Sequence, residues 1–297
     1  MTKIGYYLLF AFSYLISLIP FWLLYRISDL LFVLNYYIIG YRRKIVFSNL
    51  RRVFPDKPEK EIIKLAKAFY RHFCDLLLEL IKSISLPHKS QKRRFKIVNP
   101  ELLRELEAEN KNYAIVTAHY NNWEWINLLP ALMGAKMIAI YRPLKSKAMD
   151  QVSRAIRARY DAILVPMESV FREAVNMRNR NKHFSILFLA DQRPPRINRY
   201  WTTFLGQEVS FFEGMEKLSR KLELAVVFLK IRKTGRGRYE LILKKLFNNA
   251  AESRENEVMQ SCIREMENEI LAVPQYWLWS HNRFKHTRPE HYKLIER

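Results

Sequence analysis

The sequence predicts an α/β protein, a central mixed sheet flanked by helices, with an N-terminal transmembrane anchor helix. Three observations carry this. From about residue 111, short β-rich runs alternate with helical segments. A long amphipathic pattern precedes them over residues 56–86, and an uncharged apolar run opens the chain.

The opening run is "IGYYLLFAFSYLISLIPFWLLY", residues 4–25, with no charge in 22 positions. At about 1.5 Å rise per residue it is long enough to cross a hydrocarbon core of about 30 Å. It exceeds a signal-peptide apolar region, and no small-residue cleavage site follows it. Pro20 is a candidate kink, and Tyr and Trp lie toward the ends, where interfacial aromatics are expected. A second stretch, "ISDLLFVLNYYIIGY" (27–41), carries Asp29 and is short for a span, so it reads as interfacial or packed on the body. Arg42, Arg43 and Lys44 follow, then Arg51 and Arg52, which puts the C-terminal side in the cytoplasm. The predicted organisation is therefore a membrane anchor and interfacial helix over residues 1–41 and one cytoplasmic domain over 42–297.

Within that domain, "DKPEKE" supplies an Asp cap, an early proline and early acids for the helix at 56–86. "PHKSQKRRFK" (87–96) reads as a basic loop. The strand candidates are "YAIVTA", "KMIAIY", "AILVPM", "FSILFLA", "AVVFLKI" and "YELILKKL". Helices are expected near 122–133, 146–161, 168–181, 213–223 and 254–272. "KTGRGR" (233–238) reads as the hairpin turn joining the last two strands.

Composition narrows the partners. The 297 residues are 49% hydrophobic with only seven glycines, which excludes a disordered chain. A formal net charge of +22 attracts polyanions, whether nucleic acid, anionic membrane or acidic proteins. The apolar N-terminus favours an anionic membrane, and no helix-turn-helix, zinc-finger or aromatic RNA-binding signature supports nucleic acid. Two cysteines, Cys74 and Cys262, make no disulfide framework and fit a reducing compartment.

The chemistry concentrates in "TAHYNNWEW" (117–125). "YAIVTA" places His119 at the C-terminal end of a strand, where active sites of α/β sheets gather. Asn121 or Asn122 caps the helix that follows. With Asn121 as cap, Glu124 falls at the capping-box position, which explains the acid but not the histidine. In one continuous helix the two side chains would point about 140° apart. Because the chain turns between them, the carboxylate has a route back to the imidazole, where it would fix the tautomer and raise the basicity of the free nitrogen. Both readings of Glu124 stand on the residues alone. No second histidine lies at ligand spacing, so no metal site is expected.

The blocks around this motif resemble the bacterial lipid A late (secondary) acyltransferases, of the lauroyl/myristoyl transferase type, within the wider glycerolipid-type acyltransferases that bear His-x4-Asp/Glu. The likeness covers nearly the whole chain. It rests on "YRRKIVFSNLRRVFPDKPEKE" (41–61), "TAHYNNWEW", "YRP" (141–143) with Asp150, "FLADQ" (188–192), "FLGQEVSFFEG" (204–214) and "PQYWLWSHNRFKHTRP" (274–289). The sequence departs from the family's pattern at "SFFE" and at Asn282.

The resemblance implies a glycerolipid-acyltransferase-like fold and O-acyl transfer at the bacterial inner membrane. The donor would be an acyl carrier protein thioester, carried on phosphopantetheine as a co-substrate, or coenzyme A, with no bound cofactor. The acceptor would be a phosphorylated glycolipid precursor of lipid A. His119 would be the general base and Glu124 its orienting acid. Arg142, Arg157, Asp191, His281 and Arg283 become substrate-binding candidates. For Asp191 pairing with Arg142 or Arg157 competes with sugar binding, and Arg283 is equally a structural ion-pair partner. Another membrane glycolipid or phospholipid acceptor, or a non-catalytic membrane-anchored binding protein, are the rival readings.

Overall fold

A computed structural model describes residues 2–141, 146–158, 160–194 and 198–296. In chain order its helices and strands are α1 (Thr2–Leu18), α2 (Phe21–Val33), α3 (Arg43–Val53), α4 (Glu59–Lys82), α5 (His88–Arg94), β1 (Phe95–Ile97), α6 (Glu101–Ala108), β2 (Tyr113–Thr117), β3 (Lys136–Tyr141), α7 (Lys147–Ala158), β4 (Ile163–Pro166), α8 (Val170–Asn179), β5 (Phe184–Leu189), β6 (Trp201–Phe204), β7 (Gln207–Ser210), α9 (Gly214–Lys221), β8 (Ala225–Gly235), β9 (Arg238–Phe247) and α10 (Glu257–Ala272).

Among the described residues, seven strands form one sheet in the order β1-β9-β8-β2-β5-β3-β4, and β6 pairs with β7 apart from it. The sheet is mixed: every neighbouring pair is parallel except the β8–β9 hairpin. All five residues of β2 are buried, as a strand covered on both faces requires. Strand alternation divides the core. Ala114, Val116, Ile186 and Val226 face one apolar cluster, and Tyr113, Ile115, Leu187 and Val227 face the other. The hairpin at "KTGRGR" is as the sequence predicts. Gly237, at φ +66°, closes it, and a Cβ there would run into the Tyr25 hydroxyl of α2.

The N-terminus differs from the sequence reading. Residues 4–25 are not one helix. Pro20 has no amide hydrogen and stands extended at φ −64°, ψ 150°, so α1 ends at Leu18 and α2 begins at Phe21. Among the described residues, the one helix long and apolar enough to cross a membrane, by length and composition, is Phe21–Ile39, 19 residues, in which α2 runs on into a π-helical turn, Leu34–Ile39. Its buried side is tied to α4: Ser28 Oγ donates to Asp75 at 2.7 Å and Tyr25 Oη to Glu79 at 2.9 Å. α1 packs against α4 and α7. The outward sides of both helices stay apolar, with Phe12, Leu15, Trp22, Leu30 and Ile38 exposed. Such a surface is consistent with membrane attachment. The segment read as a basic loop folds as α5 and β1.

Candidate active site

Two strand ends build the site. β2 and β5 are parallel neighbours with Thr117 opposite Leu189. His119 and Asp191 each lie two residues beyond that pair, so the register brings them together. Asp191 Oδ1 accepts the backbone N–H of His119 at 2.9 Å and stands 2.7 Å from its Nδ1. Asp191 Oδ2 accepts the indole N–H of Trp277 at 2.8 Å. Burial alone would raise this carboxyl. The charge of His119 and the three hydrogen bonds outweigh it and hold the pKa at about 2. An ionised carboxylate only accepts, so Nδ1 of His119 carries the donated proton, and in the neutral imidazole the lone pair then falls on Nε2. The histidine side chain is 16% exposed and the aspartate 2%.

Trp277 arrives from the aromatic run at 276–279, which docks on the loop carrying His119 as a short ladder. The Asn121 N–H donates to Tyr276 O at 2.9 Å and the Leu278 N–H to His119 O at 3.1 Å. From α3, Asn49 Nδ2 donates to Trp279 O and His281 O, both at 2.8 Å, and holds this run in place. That contact gives the Asn-Leu block near residue 50 a structural task.

The helix expected at 122–133 is a 3₁₀ helix, Trp123–Leu132, capped by Asn122, whose Oδ1 accepts the Trp125 N–H at 3.1 Å. Asn121 takes φ +52° instead. Glu124 therefore occupies the second helical position, not the third that a capping box requires. Its Oε1 accepts the Trp123 indole N–H at 3.2 Å, and Arg157 Nη2 lies 3.3 Å from Oε2. The Trp123 ring meets the imidazole of His119 edge-on, with centroids 5.4 Å apart. The structure thus sets Asp191 directly on the imidazole, and Glu124 supports it through Trp123.

A buried hub underlies the loop. Glu79 accepts from Asn122 Nδ2 at 2.6 Å, Tyr239 Oη at 2.8 Å and Tyr25 Oη at 2.9 Å, while its backbone carbonyl accepts the Trp125 indole at 3.0 Å. Burial raises its carboxyl pKa.

The remaining sequence candidates fall as follows. Arg142 lies outside the described residues. Asp150 accepts a hydrogen bond from Tyr141. Arg157 pairs with Glu124, not with Asp191, whose oxygens are taken by His119 and Trp277. His281 is held down to about 4, chiefly by burial, and its neutral Nε2 accepts the Arg193 N–H at 3.2 Å. Arg283 is 2% exposed, donates to Ser210 O at 2.9 Å and lies over the Phe204 and Phe211 rings. It braces the "SFFE" block from inside, and the Asp191 carboxylate acts on it electrostatically. Sequence reasoning missed Glu79, Arg193 and the Trp277–Asp191 bond. Only the position of Trp277 in an aromatic block hinted at the last. Cys74 and Cys262 are buried and burial raises both thiols, Cys74 to about 11, so neither is an activated nucleophile.

A strand-end histidine with an ionised carboxylate on one ring nitrogen is an arrangement that general-base chemistry can use. The chain belongs to the bacterial lipid A biosynthesis acyltransferase family, whose profile matches residues 1–286. It is an acyltransferase of lipid A biosynthesis. Its relatives include the lipid A biosynthesis palmitoleoyltransferase of Escherichia coli, 25% identical over 84% of this chain and 80% of that protein. The Escherichia coli lipid A biosynthesis lauroyltransferase is 23% identical over 93% and 90%. Among solved structures, the 1-acyl-sn-glycerophosphate acyltransferase of Thermotoga maritima matches with a TM-score of 0.39 and 15% identity, covering 85% of this chain and 99% of that one.

Proposed function

We propose that the protein transfers a fatty acyl chain from an acyl carrier protein thioester to a hydroxyl of a phosphorylated lipid A precursor at the bacterial inner membrane, with His119 as general base. The His119–Asp191 pair carries the reading. Nε2 takes the hydroxyl proton while the oxygen attacks the thioester carbonyl, and a C–O bond forms. The tetrahedral intermediate collapses, the C–S bond breaks, and the proton passes from the imidazolium to the leaving thiolate. Asp191 keeps Nδ1 protonated and offsets the imidazolium charge. Glu124 fixes Trp123 and Arg157 beside the base, and Arg157 and Arg142 are the cations proposed for the acceptor's phosphate. The excess of 51 Lys and Arg over 29 Asp and Glu favours docking of an acidic carrier protein and seating on an anionic leaflet.

The test is mass spectrometry of a tetra-acylated, phosphorylated lipid A precursor incubated with the enzyme and a panel of acyl carrier protein and coenzyme A thioesters. A gain of one acyl chain with carrier-protein donors supports the reading. A gain only with coenzyme A corrects the donor, and no gain beside an active glycerophosphate acceptor replaces the acceptor.

A further inference from the structure

A cavity of about 840 Å³ opens between the start of α2 and the α5–β1 segment, and none of its lining residues belongs to the His119 site. Lys82, Arg93, Arg94, Lys96 and Arg238 line it, with no carboxylate among the described lining residues. Cations gathered without an anion repel one another, so this arrangement costs free energy unless an anion enters. The internal partners are few and neutral. Lys82 Nζ donates to Ser17 O at 2.6 Å and Ile19 O at 2.8 Å, the carbonyls freed where α1 breaks before Pro20. Arg94 donates to Gly237 O at 3.1 Å, and its guanidinium lies 3.7 Å from the Phe21 ring centroid. Arg93, Lys96 and Arg238 form no ion pair among the described residues. Glu79, whose charge reaches Arg94, is enclosed by Tyr25, Asn122 and Tyr239.

The same lining has an apolar part. Pro20, Phe21 and Trp22 supply it, and Trp22, 69% exposed, gives it an open apolar rim. Leu15 and Leu18 of α1 and Leu23 of α2, near these residues in the chain, are exposed as well. A free inorganic anion has no use for such a rim. A molecule with a phosphate at one end and hydrocarbon at the other matches both halves, since guanidinium forks suit phosphate oxygens and an indole suits the membrane interface.

We propose that this cavity is a binding site for the phosphate headgroup of an anionic membrane lipid, held by Arg93, Arg94 and Arg238, with its acyl chains lying along Trp22 and the exposed face of α1. The site seats the enzyme on the leaflet and is separate from the acyl-transfer chemistry, so it stands whether or not the role of His119 does.

The experiment measures binding of the purified full-length protein to phosphatidylcholine vesicles with and without phosphatidylglycerol. The double variant R93Q/R238Q is compared with R180Q/K182Q, which removes the same charge from exposed residues at the end of α8. Wild type and the α8 control should bind the phosphatidylglycerol vesicles more tightly than the neutral ones. R93Q/R238Q should lose about tenfold or more of that increment while retaining its binding to neutral vesicles. Equal losses in the two doubles would mean a diffuse positive field and overturn the site. So would equal wild-type binding to the two vesicle types. Displacement of wild type by inorganic phosphate, with sodium chloride of equal ionic strength ineffective, would make it a free-phosphate site and overturn the lipid assignment.

Discussion

Asp191 reaches His119 from the next strand and holds it twice through one oxygen, at the backbone N–H and at the ring Nδ1. The parallel register of β2 and β5 makes this contact, and Trp277 occupies the other carboxylate oxygen. Asp191→Asn should therefore lower the acyl-transfer rate by about 10² or more, because an amide can present N–H to Nδ1 and turn the ring to the wrong tautomer. Initial rates with circular dichroism of the same sample check this. A folded Asp191→Asn enzyme with wild-type turnover would remove Asp191 from the mechanism.

The same carboxylate makes stability depend on acid. Its pKa is about 2 in the folded protein against an ordinary 3.8, so the folded state favours the ionised form. The stabilisation, about 2 kcal/mol, is present above pH 3.8 and lost as pH falls from there through about 2. Urea titrations across this window should show that loss in wild type and not in Asp191→Asn.

Glu124 and Arg157 form a unit, so their effects should not add. Glu124→Ala and Arg157→Ala should each reduce kcat/KM for the acceptor by about tenfold or more, and the double variant should lose little beyond the worse single. Full additivity would mean that the two act independently.

Glu79 joins α2 to the His119 loop through Tyr25 and Asn122. Glu79→Ala strands three buried donors, so unfolding free energy should fall by about 3 kcal/mol or more. Thermal and denaturant unfolding measure this, and loss of activity below the melting point would show that the loop depends on the hub.

Glu269 of α10 is 3% exposed, and its carboxyl is enclosed beside the backbone of Ile231. Burial raises its pKa to about 8. A raised carboxyl favours folding only in its protonated form. Its penalty thus begins above the ordinary 4.5, grows as pH rises and levels off beyond about 8. Glu269→Gln should match wild type near pH 4.5 and become progressively more stable than it toward pH 8. Parallel stability curves would contradict the assignment.

Much of the fold was legible in the sequence because short β-rich apolar runs alternating with helical segments mark six strands and their covering helices. β1, β6 and β7 are only three or four residues long and leave no such apolar run. Pro20 was visible as a kink but breaks the helix outright, since the chain turns there to lay α1 on α4 and α7. The site was half legible. His119 and Asp191 both announce themselves as strand ends, yet their contact depends on β2 lying beside β5, and strand order is not written in one sequence. The role of Glu124 turned on which asparagine caps. Asn121 takes the left-handed region, Asn122 caps, and the acid moves by one position toward Arg157.

The most direct test of the account is the acyl-transfer rate of His119→Ala on a phosphorylated lipid A precursor, read by mass spectrometry beside wild type and with folding confirmed. The account predicts a loss of about 10² to 10⁴ or a complete absence of product. Wild-type turnover in the folded variant would contradict it, because the imidazole nitrogen assigned to take the hydroxyl proton would be gone.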